Sequence, residues 1–295
     1  MIPLTFLAQF LNGLNSGSIY ALVALGYSMV YGIVLLINFA HGDIIMVGGF
    51  IFYSMLVSMK MPLIAAILIT VIGCMIVGLL IERIAYRRLL KLQVPRITLL
   101  ITAIGVSTFL QSLFERIYGS GEQSFGQIFP LPTIMVGGIN ISVTLLNTIT
   151  SLVILVLLML VVNKTKMGKA MRATSEDVDA AKLMGVNTLQ VIAFTFAIGS
   201  LIAGIGSVLY VNKFQQINPY IGNQLGLKAF VSAVVGGIGN IPGAMLGGFL
   251  LGITEALVAA AGGSSYSDAV VFAMLILILI FKPAGLLGKP MKEKV

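Results

Sequence analysis

Residues 61–81 read MPLIAAILITVIGCMIVGLLI, a stretch without a single charged side chain. The hydrocarbon core of a bilayer is about 30 Å thick, and a helix rising 1.5 Å per residue needs roughly 20 apolar residues to cross it. The stretch meets that length, and it is not alone. Segments 97–114, 183–212 and 229–254 also lack charge, 144–162 is almost purely aliphatic, and the first 40 residues hold one long span and the start of another. After Glu255 only Asp268 interrupts a last apolar run, 269–281. Only helices and closed barrels satisfy the backbone in hydrocarbon, and these continuous runs lack the ten-residue alternation of barrel strands. The reading is an all-α integral membrane protein, a polytopic helical bundle of eight or nine membrane segments in one domain covering 1–295. The segment around 225–236 separates the count of eight from nine.

Composition agrees. Hydrophobic residues make up 58% and charged residues 9%, where a soluble domain averages about 25% charged, and the mean hydropathy is +1.06. The net charge of +8 is concentrated in three places. Arg83, Arg87, Arg88, Lys91 and Arg96 form one cluster; Lys164, Lys166, Lys169, Arg172 and Lys182 a second; Lys282, Lys289, Lys292 and Lys294 mark the tail. Short cytoplasmic loops are rich in Lys and Arg, so the clusters place these loops and the C-terminus inside and the N-terminus outside. The excess charge is thus a topology signal and not a nucleic-acid footprint. The N-terminus lacks the basic start of a cleaved signal peptide, so the first apolar run is expected to stay in the mature protein. Cys74 is the sole cysteine and is expected to be a core residue.

Chemistry is sparse. Gly168-Lys169 is followed by alanine and Gly288-Lys289 by proline, so no phosphate loop is present. No zinc-protease motif, nucleophile elbow or metal-ligand cluster appears. The chain is expected to bind no metal or cofactor and to catalyse nothing, so that the energy for any active transport comes from a partner or an ion gradient.

Three segments carry the functional expectations. The run 236–243, GGIGNIPG, interrupts a helix. A broken segment at membrane depth must be buried in protein or line a cavity, which makes Gly237, Gly239, Pro242 and Gly243 candidate pathway residues. Gly239, Gly243 and Gly247, and Gly248 with Gly252, have the spacing that lets helices approach closely. The string NFAHGD at 38–43 holds the only histidine, His41. Asn38, His41 and Asp43 either line the pathway or form a cytoplasmic-side turn in which Asp43 caps the next helix. Glu255 and Asp268 are read as segment-end or bundle-interior acids.

The third segment, 163–188, is the longest charged stretch. Thr174 is an expected N-cap, Glu176 and Asp179 put negative charge in a first turn, and Gly185 stands where a left-handed C-terminal cap belongs. A helix over 175–184 is about 15 Å long and suits a groove on another protein.

These segments together resemble the branched-chain amino acid permease family of ABC importers. The likeness is carried by YALVALG at 20–26, NFAHG at 38–42, VPRITLL at 94–100, GKAMRA at 168–173 with AKLMGVN at 181–187, GGIGNIPG at 236–243 and KPAGLLG at 282–288. It implies a pore of two homologous permease subunits, two cytoplasmic ATPases beneath it that use ATP, and an extracytoplasmic binding protein, in a bacterial inner membrane. It further implies that 172–187 is the coupling helix on which an ATPase docks, with Arg172, Glu176, Asp179, Ala181 and Gly185 as coupling candidates. The letters of the E-A-A importer loop are not spelled out here. The short N-terminus and compact tail resemble the smaller of two permease subunits. The implied function is import of branched-chain amino acids by alternating access. A urea or short-amide permease of the same family, and an ion-coupled secondary transporter using Asp43, Glu255 or Asp268, are the alternatives.

Overall fold

The computed structural model describes residues 2–34, 38–129, 134–136 and 139–288. Lys289, Lys292 and Lys294 of the basic tail lie outside the described residues. The helices are α1 (Ile2–Val34), α2 (Ala40–Tyr53), α3 (Leu63–Ile81), α4 (Arg87–Lys91), α5 (Arg96–Tyr118), α6 (Ile141–Lys164), α7 (Lys166–Glu176), α8 (Val178–Leu183), α9 (Thr188–Phe214), α10 (Ile221–Gly236), α11 (Ile241–Ala260) and α12 (Ser267–Phe281). Among the described residues eight helical segments are long and apolar enough to cross a membrane, and the chain is a polytopic helical membrane protein.

The ninth expected segment is α10, whose 16 residues reach only about 24 Å. It is nonetheless packed in the centre of the bundle, and it returns the chain from the end holding residues 215–220 to the end holding 237–240. All the basic clusters that fall on described residues lie at that second end, called here the basic end. At the opposite end β1 (Gln123–Ser124) pairs antiparallel with β4 (Gln216–Ile217), Gln123 facing Ile217, and β2 (Met135–Val136) pairs with β3 (Ile139–Asn140).

α1 is the central element: 83% of its spanning window is buried, against 6% for α12. It owes that place to glycine. A methyl group on Gly17 would stand 2.8 Å from Phe249 Cα, and one on Gly13 2.7 Å from Ile253 Cα, so α1 and α11 cross with their backbones nearly touching. The pairs Gly13 with Ile253 and Gly32 with Gly239 make the two helices antiparallel. The small-residue spacing of Gly248 and Gly252 is thereby used against α1. α3 is seated on α9 in the same manner, Cys74 meeting Gly204, and Cys74 is fully buried.

Two π-helical turns prolong the second and third spans, Ser54–Ser58 and Glu82–Tyr86. The second turns Glu82 and Tyr86 inward although both follow a long apolar run. Glu82 is buried and accepts from Nε and Nη2 of Arg87, each at 3.0 Å, so one arginine of the first basic cluster is an internal ion pair.

Candidate functional site: a basic-end segment and an intramembrane polar core

The charged stretch between the sixth and ninth helices does not form the single helix over 175–184. Lys166–Glu176 is one helix, capped by Thr165, whose Oγ1 accepts from Gly168 N at 2.9 Å. Thr174 is not a cap; it is buried inside α7 and its hydroxyl donates to Ala170 O at 2.8 Å. The break falls at Asp177, which is extended (φ −158°, ψ 113°) and accepts at Oδ1 from the backbone N–H groups of Asp179 and Ala180, both at 3.0 Å. A carboxylate able to satisfy two free amides of a new helix outcompetes continuation of the old one. An aspartate before a helix-forming run is itself a cap signal, so Asp177 competes with Thr174 for the cap.

The resulting α8 is short and projects from the basic end. Leu183 and Met184 are 89% and 85% exposed, while Ala181 is buried against the bundle. Gly185 adopts φ +82°, and Val186 N donates back to Ala181 O at 3.0 Å, which closes the helix with a left-handed cap. Asp179 pairs with Lys182 at 3.0 Å on the surface, and Glu176 is exposed. Arg172 donates to Val162 O at the C-terminal end of α6, where a cation complements the helix dipole. It ties α7 to the membrane helix. Leu183 and Met184 fall inside the helix expected over 175–184, but their exposure leaves no separate signal, because the uncharged run from 183 onward also reads as the start of a span.

A cavity of about 100 Å³ joins this segment to the bundle, with Arg172 and Met171 on one side and Ile33, Gly32 and Gly239 on the other. A larger cleft of about 720 Å³ separates Val178, Asp179 and Lys182 from Val34 and Lys91. The glycine run lies here too. Gly236 ends α10, Gly237 and Gly239 have φ +111° and +84°, and Asn240 caps α11 by accepting from Gly243 N at 2.9 Å, with Pro242 in its first turn. The residues after α12 cover the turn: Leu286 and Leu287 donate to Val235 O and Gly236 O, and a side chain on Gly237 would collide with Gly288. The interruption is therefore a capped turn at the basic end rather than a break at mid-depth, so Gly237, Gly239, Pro242 and Gly243 can wall only the mouth of a path.

Asn38, His41 and Asp43 are the intramembrane element. His41 meets Gly26, which lies two turns, about 12 Å, before the end of α1. The segment 38–43 thus lies inside the bundle, and the two expectations for it separate. All three side chains are 0–2% exposed, which is an interior element and not a surface turn. Asp43 sits in the first turn of α2 but caps nothing; its Oδ1 accepts from Gln111 Nε2 at 2.9 Å. Asn38 accepts from Tyr86 Oη at 2.9 Å, and His41 lies edge-on to Tyr27, ring centres 5.0 Å apart. Gly42 and Gly226 let α10 approach α2 at this point. His41 Nε2 and Asp43 Oδ2 have no hydrogen-bond partner among the described residues. Gln111 was hidden in the sequence because an uncharged run does not distinguish an amide from an aliphatic residue.

The other two candidate coupling acids, Glu255 and Asp268, are paired. Lys228 Nζ lies 2.5 Å from Glu255 Oε1 and 3.0 Å from Asp268 Oδ1, and Tyr20 Oη donates to Glu255 Oε2 at 2.8 Å. The cluster joins α1, α10, α11 and α12. A carboxylate locked to an ammonium cannot also carry a coupling ion without breaking that pair.

Comparison with known proteins places this architecture. Residues 9–279 match the family model described as the branched-chain amino acid transport system permease component. The chain belongs to this family. It is 41% identical to the high-affinity branched-chain amino acid transport system permease protein LivH of Salmonella typhimurium, covering 99% of this chain and 98% of the relative. The LivH of Escherichia coli K12 is 41% identical with the same coverage, and BraD of Pseudomonas aeruginosa is 41% identical over 98% of both chains. No solved structure matches. The chain is thus a multi-pass permease subunit, and the matched range takes in the interior element, the segment at 166–185 and the glycine turn.

Proposed function

We propose that this permease forms half of the translocation pathway of an ATP-driven importer of branched-chain amino acids in a bacterial inner membrane. The observation that carries the reading is the pair α7–α8: a capped helix with Leu183 and Met184 almost fully exposed at the basic end of a chain otherwise built for lipid. A separate ATPase is the partner expected to cover it, since the chain has no phosphate loop. Full-length likeness to LivH and BraD supports the substrate class. Lys and Arg at one end support a cytoplasmic basic end and C-terminus. A second permease subunit, two ATPases and an extracytoplasmic binding protein complete the assembly, and ATP is held by the ATPases.

In this mechanism closure of the ATPases pushes on α8. Asp177 and Gly185 hold that helix as a rigid unit, and Arg172 passes its displacement to α6. Contacts around Gly32 and Gly239 pass it to α1 and α11, whose close packing makes them move together. The interior element at Asn38, His41 and Asp43, buried where α2 meets α10, is the pathway candidate that opens when these helices part.

The test is uptake of labelled leucine into vesicles that hold the chain with its partner permease, ATPases and binding protein. Uptake that requires internal ATP and the binding protein and survives collapse of ion gradients is the expected outcome. Gradient-dependent, ATP-independent uptake overturns the importer, and ATP-dependent uptake of urea or amides but no aliphatic amino acid overturns the substrate class.

A further inference from the structure

Helix α5 does not look like its neighbours on the outside of the bundle. The exposed side chains of α3 include Ile64, Leu68, Ile72 and Ile76, and those of α6 include Leu145, Ile149, Val156 and Leu160, which is what lipid requires. α5 is equally peripheral, with 17% of its window buried. Yet from 107 to 116 it carries Ser107, Thr108, Gln111, Ser112, Glu115 and Arg116. Its packed face is Leu99, Ala103 and Leu110. At 100° per residue, Thr108 and Ser112 stand opposite that packed face, and the row Ser107, Gln111 and Glu115 runs from its edge toward them. Thr108 and Ser112 are exposed.

Some of these groups are partly satisfied within the subunit. Thr108 Oγ1 donates to Ile104 O at 3.0 Å, Gln111 Nε2 donates to Asp43 and to Ser107 Oγ, and Glu115 lies near the Tyr220 hydroxyl. Arg116 has no ion pair among the described residues. Hydroxyls and an amide in one arc of the span are costly against hydrocarbon, and polar groups within spans face a bundle interior or a water-filled cavity; Glu115 and Arg116 follow in the last turn of α5. A second, independent observation points the same way. Directly behind the arc lies Asp43, fully buried, with Oδ2 unpartnered among the described residues.

We infer that the Ser107–Gln111–Glu115 and Thr108–Ser112 rows of α5 form this subunit's wall of the translocation pathway, and that a zwitterionic amino acid passes along it. The substrate part rests on the proposed function above. The hydroxyls and amide offer hydrogen bonds to the charged main-chain groups, and the carboxylates of Glu115 and Asp43 suit the ammonium. Toward the basic end the same face continues as Ile97, Ile101 and Ile104, aliphatic contacts for a branched side chain.

The experiment uses the assembled importer in vesicles with Cys74→Ser as background. Thr108→Cys and Ser112→Cys are compared with Ile72→Cys and Ile149→Cys, and each is exposed to a charged, membrane-impermeant methanethiosulfonate with and without vanadate trapping. Only a thiol that meets water ionises to the reactive thiolate, so the two α5 positions are expected to react about tenfold or more faster than the controls. Their rates should change on trapping, and modification should block uptake. Labelling of unfolded protein in detergent verifies that each cysteine is present. Thr108→Cys and Ser112→Cys reacting no faster than the controls in both states overturns the wall, whatever the wild type transports. Fast labelling in a complex that fails to take up leucine sustains the wall and overturns the substrate reading instead.

Discussion

Lys228 on α10 holds Glu255 on α11 at 2.5 Å, and the same ammonium reaches Asp268 on α12 at 3.0 Å. The three helices are thereby joined through one cation at the side of the bundle where α12 is otherwise barely embedded. Removing one partner of such a pair leaves an uncompensated charge, which costs about 3–5 kcal/mol when buried; Glu255 at 13% side-chain exposure approaches that limit.

Lys228→Met is therefore expected to lower the thermal stability of the purified complex markedly, while Lys228→Met with Glu255→Gln recovers most of the loss because no buried charge is stranded: Asp268, which also loses its partner, is 68% exposed. The same double variant separates structure from coupling. If it retains ATP-dependent uptake, as expected, Glu255 is a structural acid. Loss of uptake in a double variant that regains normal stability would give the acid a transport role.

Gly185 tests the segment at the basic end by a different route. Nothing lies within 4 Å of a side chain placed there, so space is not what demands glycine; φ +82° is. A non-glycine residue in the left-handed region costs about 1–2 kcal/mol, and asparagine tolerates it best. Gly185→Asn should keep ATP-coupled uptake and Gly185→Arg, with its long charged side chain on the docking surface, should abolish it while membrane insertion stays normal. Normal uptake by Gly185→Arg would remove α8 from the docking surface.

Gly185, Asp177 and Lys228 differ in how far their roles are written in the local sequence. The spans were legible because hydrocarbon imposes a length and a composition, and the cap at Gly185 was legible because its cause is local. The division of the charged stretch at Asp177 was not, since Thr174 and Asp177 are both able to cap and only burial of Thr174 decides between them. Lys228 read as an isolated charge. Its partners are 27 and 40 residues away in sequence, and a tertiary ion pair leaves no periodic trace. The interior position of Asn38, His41 and Asp43 was similarly undecidable, because it depends on Gly26 of α1, which leaves room for His41, and on glycines of α10 that admit α2.

Asp177 yields its own prediction. Replacing an N-cap by alanine costs about 1 kcal/mol, and in a six-residue helix that is enough to fray the whole element. Asp177→Ala should leave the bundle's thermal stability nearly unchanged yet uncouple ATP hydrolysis from the binding protein, because a frayed α8 cannot transmit a push. Asp177→Ser, which keeps a capping oxygen, should restore most of the binding-protein-stimulated ATPase activity. An Asp177→Ala complex with full stimulation would show that α8 need not be rigid.

The tight crossing of α1 and α11 makes the sharpest stability prediction. A methyl on Gly17 would meet Phe249 Cα at 2.8 Å and Gly248 O at 3.0 Å; these are backbone atoms, so no rotamer change relieves the clash and the helices must separate. Helix association in a bilayer depends on close van der Waals contact, and overpacking even a side-chain core costs about 1–3 kcal/mol. Gly17→Leu should therefore prevent a monodisperse complex by size-exclusion chromatography. Gly206→Ala on α9 is the matched control, because its methyl group would find neighbours only at 3.8 and 3.9 Å. It should be neutral or stabilising by up to about 1 kcal/mol, the helix-propensity difference between the two residues. Equal behaviour of the two variants would mean that α1 and α11 do not pack through Gly17, and the route by which α8 moves both helices together would fail with it.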